Sequence, residues 1–394
     1  MQILLNQPKF NNVHIVKNKS FNNRQSSVIE NQYSKISGVY YPTFTSSKVK
    51  FAPTKIERFE GCLLGSAIGD AFGAPIEFMK INKIKKTFGS QGLTELVKDK
   101  NKTFSISDDT QLTLFTADGL IKSALKNKSK INYSIIFNSY KDWYKLCTLG
   151  KNVNSGWISK IEGLKGKTRS GNTCMSVFSN NSYGSIQTPL NQSRTCGGVM
   201  RVSPIGLFYN SSAKEAFDIA TNCTALSHGH PDAYLSAGVY AAIIADIVQD
   251  KPIEIAIKNS LKILKSKKDS EHLVEQIEKA VDLAKKESDI SQLGMGWNGD
   301  EAIAMAIYSV LKHPNNYKQT IITAANHSGD SDTVASIAGG ISGAYLGINS
   351  IPKDFTEKIE QRNALKTLAE DLNSGISNIK QAKRRYPINN FKEI

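Results

Sequence analysis

Two short stretches, "SDDT" at residues 107–110 and "DSDT" at 330–333, bunch carboxylates and hydroxyls in the same way far apart in the chain. Each stands where an apolar, helix-like run begins. Ser, Thr and Asp in that place accept hydrogen bonds from the free N–H groups of a helix start. Capping accounts for either stretch alone, but the two together ask for more. Asp108, Asp109, Asp330 and Asp332 brought to one place would repel one another, and divalent cations, which take oxygen ligands, are the natural counter-charge. Ser107 and Thr333 add hydroxyl oxygens to that set. A third acidic element, "GDAFGAPIEF" at 69–78, sets Asp70 and Glu77 on either side of a Gly-Ala-Pro turn; Glu77 is either a surface acid or one more oxygen ligand. An EF-hand is excluded, because Ala335 occupies the position of the loop glycine and no glutamate closes the loop.

Other groups carry weaker signals. "RSGNTCMS" (169–176) and "TCGGVMRVSPIG" (195–206) are glycine-rich backbone of the kind that cradles phosphates through N–H groups, although neither matches the P-loop or the dinucleotide fingerprint. "ALSHGHPDA" holds His228 and His230 two residues apart, not at the helical spacing of a zinc pair, and reads as a helix-capping turn with an exposed imidazole. There is no GxSxG, and Cys174 and Cys196 read as packed small residues.

Helices must carry these groups. "ERFEGCLLGSAIGDAFG" places Gly61, Gly65, Gly69 and Gly73 on one helical face, and "VASIAGGISGAYLG" repeats the device with Gly339, Gly343 and Gly347. Each interior glycine costs a helix about 1 kcal/mol relative to alanine. A row of them implies a close helix neighbour, and these two helices are expected to meet in the buried centre. Three-to-four apolar spacing predicts further helices at 111–125, 213–222, 233–248, 253–264, 271–286, 299–311, 317–325 and 355–372. Strand-like alternation is scarce, so the expected fold is a single all-α domain. Residues 1–54 hold seven basic residues against one acid up to residue 50, with much Asn and Ser, and are expected to form a flexible basic extension. Residues 55–350 form the domain, and 351–394 a helical segment packed on it with a basic tail.

The chain has 394 residues, 40% hydrophobic, with a formal net charge of +15. That charge would suit an anionic partner, but the lysines are scattered and no RNA-binding motif accompanies them, so nucleic acid is not expected as a partner. The five cysteines are odd in number and form no CxxC pair, which points to a reducing, cytoplasmic setting without disulfides or a zinc site. No apolar run approaches a membrane span, and no membrane partner is expected.

Taken in order, "GCLLGSAIGDAFGAPIEF", "SDDTQLTL", "RSGNTCMS", "CGGVMRVSPIGL", "LSHGHP", "GMGWNGDEAIAMAIY" and "NHSGDSDTVASIAGGISGAYLG" resemble the ADP-ribosylglycohydrolases over about residues 56–350. The resemblance implies a compact orthogonal multi-helix domain with two Mg²⁺ or Mn²⁺ ions in a central cleft. Ser107, Asp108 and Asp109 would be metal ligands from one helix start, and Asp330, Asp332 and Thr333 from the other. Glu77 falls on the family's additional glutamate. Asn172, Thr173 and the backbone of Gly197, Gly198 and Val199 would contact the diphosphate and inner ribose, and His228 the distal ribose or adenosine side. The implied activity is hydrolysis of the bond between ADP-ribose and a protein side chain, arginine first, with a carboxylate among Asp109, Asp330 and Asp332 activating water. The partners are then an ADP-ribosylated protein and ADP-ribose, met by a monomer. One departure is that "LGKNVNSGWISK" offers Asn152, Asn154 and Ser155 where some members carry an acid near the scissile bond. Serine-linked ADP-ribose and O-acetyl-ADP-ribose are therefore alternative substrates. Two further readings are a protein that neutralises an ADP-ribosylating partner through its basic tail and a pseudoenzyme; the latter conflicts with retention of every metal-motif acid.

Overall fold

The two glycine stripes do meet. In the computed structural model, a Cβ built on Gly61, Gly65, Gly69 or Gly73 would lie 2.2, 2.5, 2.0 or 2.3 Å from the carbonyl oxygen of Gly343, Gly339, Ala335 or Ser331 in turn. Each step of four up the first helix is a step of four down the second, so the pair is antiparallel with backbone against backbone. No side chain larger than hydrogen fits on the first helix at these four places.

The structure describes residues 52–99, 102–127, 130–153, 155–166, 170–375 and 379–388, together with the backbone of two strands. Those strands, β1 (Gln32–Ile36) and β2 (Val39–Thr43), pair antiparallel and belong to a first unit that ends at Ala52. The expectation of a flexible extension over 1–54 otherwise falls outside the described residues.

The second unit begins at Pro53, and its regular elements are helical. Helices α1 (Lys55–Gly73), α2 (Ile81–Phe88), α3 (Asp108–Lys126), α4 (Tyr133–Trp143) and α5 (Asn172–Ser179) come first. They are followed by α6 (Ser203–Phe208), α7 (Ala213–Ala225), α8 (Pro231–Val248), α9 (Ile253–Leu264) and α10 (Glu271–Lys285). The set closes with α11 (Gly299–Lys312), α12 (Tyr317–Ala325), α13 (Ser331–Leu346), α14 (Lys353–Lys358), α15 (Arg362–Ser374) and α16 (Ile379–Arg385).

Local chemistry fixes the ends that matter. A capping box starts α1: Glu57 N donates to Thr54 Oγ1 at 3.4 Å, and Thr54 N to Glu57 Oε2 at 2.7 Å. The Gly-Ala-Pro turn ends α1 just short of Glu77. At the far end of α13, Arg58 donates to the carbonyls of Ala344 and Tyr345 at 3.0 and 2.8 Å, satisfying the acceptors a helix C-terminus leaves open. Tyr317 of α12 donates to the Gly65 carbonyl at 2.7 Å, and Ser66 and Ser336 share a hydrogen bond of 2.8 Å within the α1–α13 contact. The α1–α13 pair is thus bonded as well as packed.

Two expectations are corrected. The run 355–372 is two helices, because Phe104 N donates to Lys358 O and Glu360 N to Phe104 O, both at 3.0 Å, and Gln361 turns left-handed at φ 61°. Also, α8 is long and apolar enough to cross a membrane by length and composition; 94% of it is buried, and its side chains line the core shared with α7, α9 and α11.

Candidate active site

The antiparallel register has a chemical consequence. It sets the C-terminal end of α1, and the Glu77 turn after it, against the N-terminus of α13. Glu77, Asp330 and Asp332 consequently offer carboxylate oxygens that lie within 4.8 Å of one another. Asp330 is the N-cap of α13: its Oδ1 accepts from Thr333 N at 3.1 Å. Capping and clustering are here one arrangement.

The start of α3 arrives through Asp70. This wholly buried carboxylate on α1 accepts from Ser107 N at 3.0 and 3.1 Å, from Thr110 N at 3.2 Å and from Thr110 Oγ1 at 2.5 Å. Ser107 in turn caps α3, its Oγ accepting from Asp109 N at 3.2 Å. Asp70 therefore holds the Ser107–Asp109 stretch in place instead of pointing at a ligand, a role the sequence leaves invisible.

Unmet electrostatic demand marks the cluster. Asp109 Oδ1 and Asp332 Oδ1 are buried with no hydrogen-bond partner. Burial, then the neighbouring carboxylates, raises Asp109 and Asp332 well above the usual carboxylate range. Burial first, then Asp330, Asp108 and Asp70, pushes Glu77 up to about 8. Burial pushes Asp108 up to about 7 and Asp70 to about 6, the latter against four hydrogen bonds that favour its charge. Such a cluster is short of positive charge. An all-oxygen set with orphaned carboxylate atoms fits hard divalent cations such as Mg²⁺ or Mn²⁺.

Each glycine-rich loop is tied to the cluster by a bond that the sequence did not foretell. Ser170 Oγ donates to Asp108 Oδ2 at 2.5 Å, and Cys196 Sγ donates to Asp330 Oδ2 at 2.8 Å. Cys196 is thus more than the packed small residue expected. Beyond Ser170, α5 starts at Asn172 with no side-chain cap, leaving its first N–H groups for an outside acceptor; Thr173 Oγ1 shares a 2.8 Å bond with Ser193 Oγ. Beyond Cys196, the tight turn Cys196–Gly198 leads into Val199. Gly198 sits so close to Thr224 that a Cβ would be 2.2 Å from its Cγ2.

His228 is fully buried. Its Nδ1 bonds Ser227 Oγ at 2.8 Å, its Nε2 has no partner, and a Cβ on Gly197 would lie 3.2 Å from that Nε2. Burial and the nearby Arg201 lower its pKa to about 3, so the ring is neutral. It packs against the Gly197 backbone, so the exposed imidazole expected for this turn is not found at His228. Of the residues in the "LGKNVNSGWISK" stretch singled out above, Ser155 is buried and bonds Asp142, Asn152 accepts from Lys165, and Asn154 lies outside the described residues.

A second acidic group, Asp232 and Asp300 with His272, is separate from this cluster and is already met by Arg194, at 3.1 Å from Asp232 and 2.9 Å from Asp300. It joins the starts of α8 and α11.

Known proteins resemble this chain in sequence and fold. The chain is similar to an uncharacterized protein of Archaeoglobus fulgidus, with 28% identity over 80% of this chain and 96% of that one. It is also similar to the ADP-ribosylarginine hydrolase Tri1 of Serratia proteamaculans, at 24% identity over 80% of this chain and 79% of that one. The ADP-ribosylhydrolase ARH3 of Gallus gallus is 25% identical over 80% of this chain and 92% of its own. A solved structure titled ADP-ribosylglycohydrolase-related protein complex shares the fold, with a TM-score of 0.57 at 19% identity over 82% of this chain and 98% of that one. The sequence profile of the ADP-ribosylglycohydrolases matches residues 52–381, so the chain belongs to the ADP-ribosylglycohydrolase family and is a hydrolase acting on glycosyl bonds.

Proposed function

We propose that the protein hydrolyses the glycosidic bond between ADP-ribose and an arginine side chain of a protein, in the cytoplasm and with two divalent cations. The ligands are Glu77, Ser107, Asp108, Asp109, Asp330, Asp332 and Thr333. The observation that carries this reading is the pair of buried, unpartnered oxygens, Asp109 Oδ1 and Asp332 Oδ1, in a cluster to which both glycine-rich loops are bonded. Bound there, a divalent cation supplies Lewis-acid polarisation of sugar hydroxyls and of water.

The chain's own residues divide the remaining work. Asp330 has both oxygens engaged, by Thr333 N and by Cys196 Sγ, which fixes its orientation. Asp109 and Asp332 keep a free oxygen each and are the candidates to hold the attacking water and take its proton. The N–H groups at the uncapped start of α5 and in the Gly197–Gly198 backbone donate to the diphosphate, Val199 N being already bonded to Cys196 O at 2.9 Å, and this orients the ribose toward the acids. Five buried, free cysteines suit a reducing compartment.

The test is to incubate the purified protein with arginine-, serine- and DNA-linked ADP-ribose, with Mg²⁺ and with EDTA. Release from the arginine conjugate that EDTA abolishes supports the reading. Full activity in EDTA sinks the metal requirement, and exclusive release from another conjugate sinks the arginine assignment.

A further inference from the structure

Among the described residues the two most exposed large apolar side chains are Phe78, 74% exposed, and Met295, 53% exposed. Both flank Asp330. Phe78 N donates to Gly329 O at 3.2 Å, and Asp330 N donates to Met295 O at 2.8 Å. A ring left three-quarters in water adds little to the fold; a single exposed apolar side chain is ordinary, and what sets Phe78 apart is its place beside the acidic cluster and the way its backbone is held.

Phe78 is also held in an unusual backbone. It follows Glu77 directly and has φ 64°, the left-handed region that an aromatic residue enters only at an energetic cost. The turn aims its ring at Trp297, on which it stacks with centroids 5.0 Å apart and planes 27° from parallel. The Trp297 carbonyl accepts from Cys196 N at 3.0 Å, so the stacked pair bridges the Glu77 turn and the Cys196–Gly198 turn. The stacked pair, with the Phe78 ring largely in solvent, therefore stands beside the acidic cluster.

Charge decides what covers that ring. An aromatic face attracts cations, and the carboxylates of Glu77 and Asp330 lie next to it. A guanidinium is planar, stays charged at any working pH and stacks on rings, whereas a serine hydroxyl gains none of this. We infer that the Phe78–Trp297 pair is an acceptor platform, which holds the guanidinium of the modified arginine by stacking while its ADP-ribose lies in the cleft. The inference rests on the hydrolase reading above and adds the residues that select the acceptor.

The experiment compares wild type, Phe78→Leu and Phe78→Tyr on one ADP-ribosyl-arginine peptide in Mg²⁺, with Mg²⁺ binding followed by calorimetry. Phe78→Leu, which keeps apolar bulk without a ring, should lose about tenfold in kcat/KM, chiefly through KM, with Mg²⁺ affinity held. Phe78→Tyr should recover to within about twofold of wild type. A Leu variant as active as wild type, or a Tyr variant as impaired as Leu, overturns the platform while the hydrolase reading stands. Wild type that binds Mg²⁺ but releases nothing from the arginine peptide overturns that reading and the platform with it.

Discussion

A Cβ on Gly73 would lie 2.3 Å from the carbonyl oxygen of Ser331, so the last turn of α1 and the first turn of α13 touch backbone to backbone. The distance between Glu77 and Asp332 depends on that contact, because one residue lies four positions beyond Gly73 and the other immediately follows Ser331. The glycine stripe is therefore as much a part of the site as the carboxylates.

Adding a methyl group to the stripe should damage fold and site together. At Gly69 the new Cβ would sit 2.0 Å from Ala335 O. Gly69→Ala is expected to cost about 3 kcal/mol in denaturant unfolding, at the upper end for overpacking. Gly171 has open space around its Cβ position, and Gly171→Ala should stay within about 0.5 kcal/mol of wild type. Equal stability of Gly69→Ala and wild type would show that the helices part freely.

Asp70 separates a positioning role from a ligand role. All its described contacts are donors from Ser107 and Thr110, so Asp70→Asn would turn an amide N–H toward other N–H groups. The start of α3 should then shift, weakening Mg²⁺ binding by about tenfold to a hundredfold, as loss of an outer partner of a metal site does. Asp332→Ala and Asp109→Ala should instead abolish both binding and ADP-ribose release. Calorimetry with Mg²⁺ reads the difference, and unchanged affinity in Asp70→Asn would remove Asp70 from the account.

Much of this was legible in the residues, for identifiable reasons. A period of four in small residues is readable because helix geometry converts it directly into a face, and carboxylates at helix starts are readable because capping restricts which residues stand there. The break at Ile359–Gln361 was not legible, since it depends on pairing with Phe104, far away in the chain. The same holds for Cys196 and Ser170: a thiol and a hydroxyl look like packing until the fold brings Asp330 and Asp108 to them. His228 stood in a recognisable motif, yet its burial beneath Gly197 follows only from where α7 ends.

Stability of the metal-free protein should fall as pH rises. In the unfolded chain Asp70, Glu77 and Asp108 titrate at the ordinary 3.8 to 4.5, whereas in the fold they titrate near 6, 8 and 7. The native state therefore binds more protons across that window, and ∂ΔG/∂pH of unfolding is negative there. In EDTA, Tm should drop between about pH 4 and pH 8. Mg²⁺ should raise Tm more at pH 8 than at pH 5, and its binding should release protons, visible as calorimetric heats that vary with the buffer. A Tm in EDTA that climbs from pH 5 to pH 8 would contradict the mutual repulsion of these carboxylates.

Arg201 supplies a further test, of the loop proposed to hold the diphosphate. It is wholly buried, and among the described residues no carboxylate pairs with it. Its guanidinium lies 4.4 Å from the Tyr140 ring centre and 5.3 Å from that of Phe178, and donates to Gly197 O at 2.9 Å and Ser227 Oγ at 2.7 Å. An uncompensated cation behind Gly197 makes the loop attractive to an anion. Arg201→Lys keeps the charge but cannot serve both acceptors and both rings; Arg201→Met removes the charge. Both should lose about 1–3 kcal/mol of stability, through the bonds to Gly197 O and Ser227 Oγ that are left unmade. If the charge assists the diphosphate, ADP-ribose affinity should fall about tenfold in Arg201→Met and clearly less in Arg201→Lys, a tenfold change being about 1.4 kcal/mol. Equal losses in the two variants would assign Arg201 to loop geometry alone, and wild-type affinity in Arg201→Met would detach it from ligand binding.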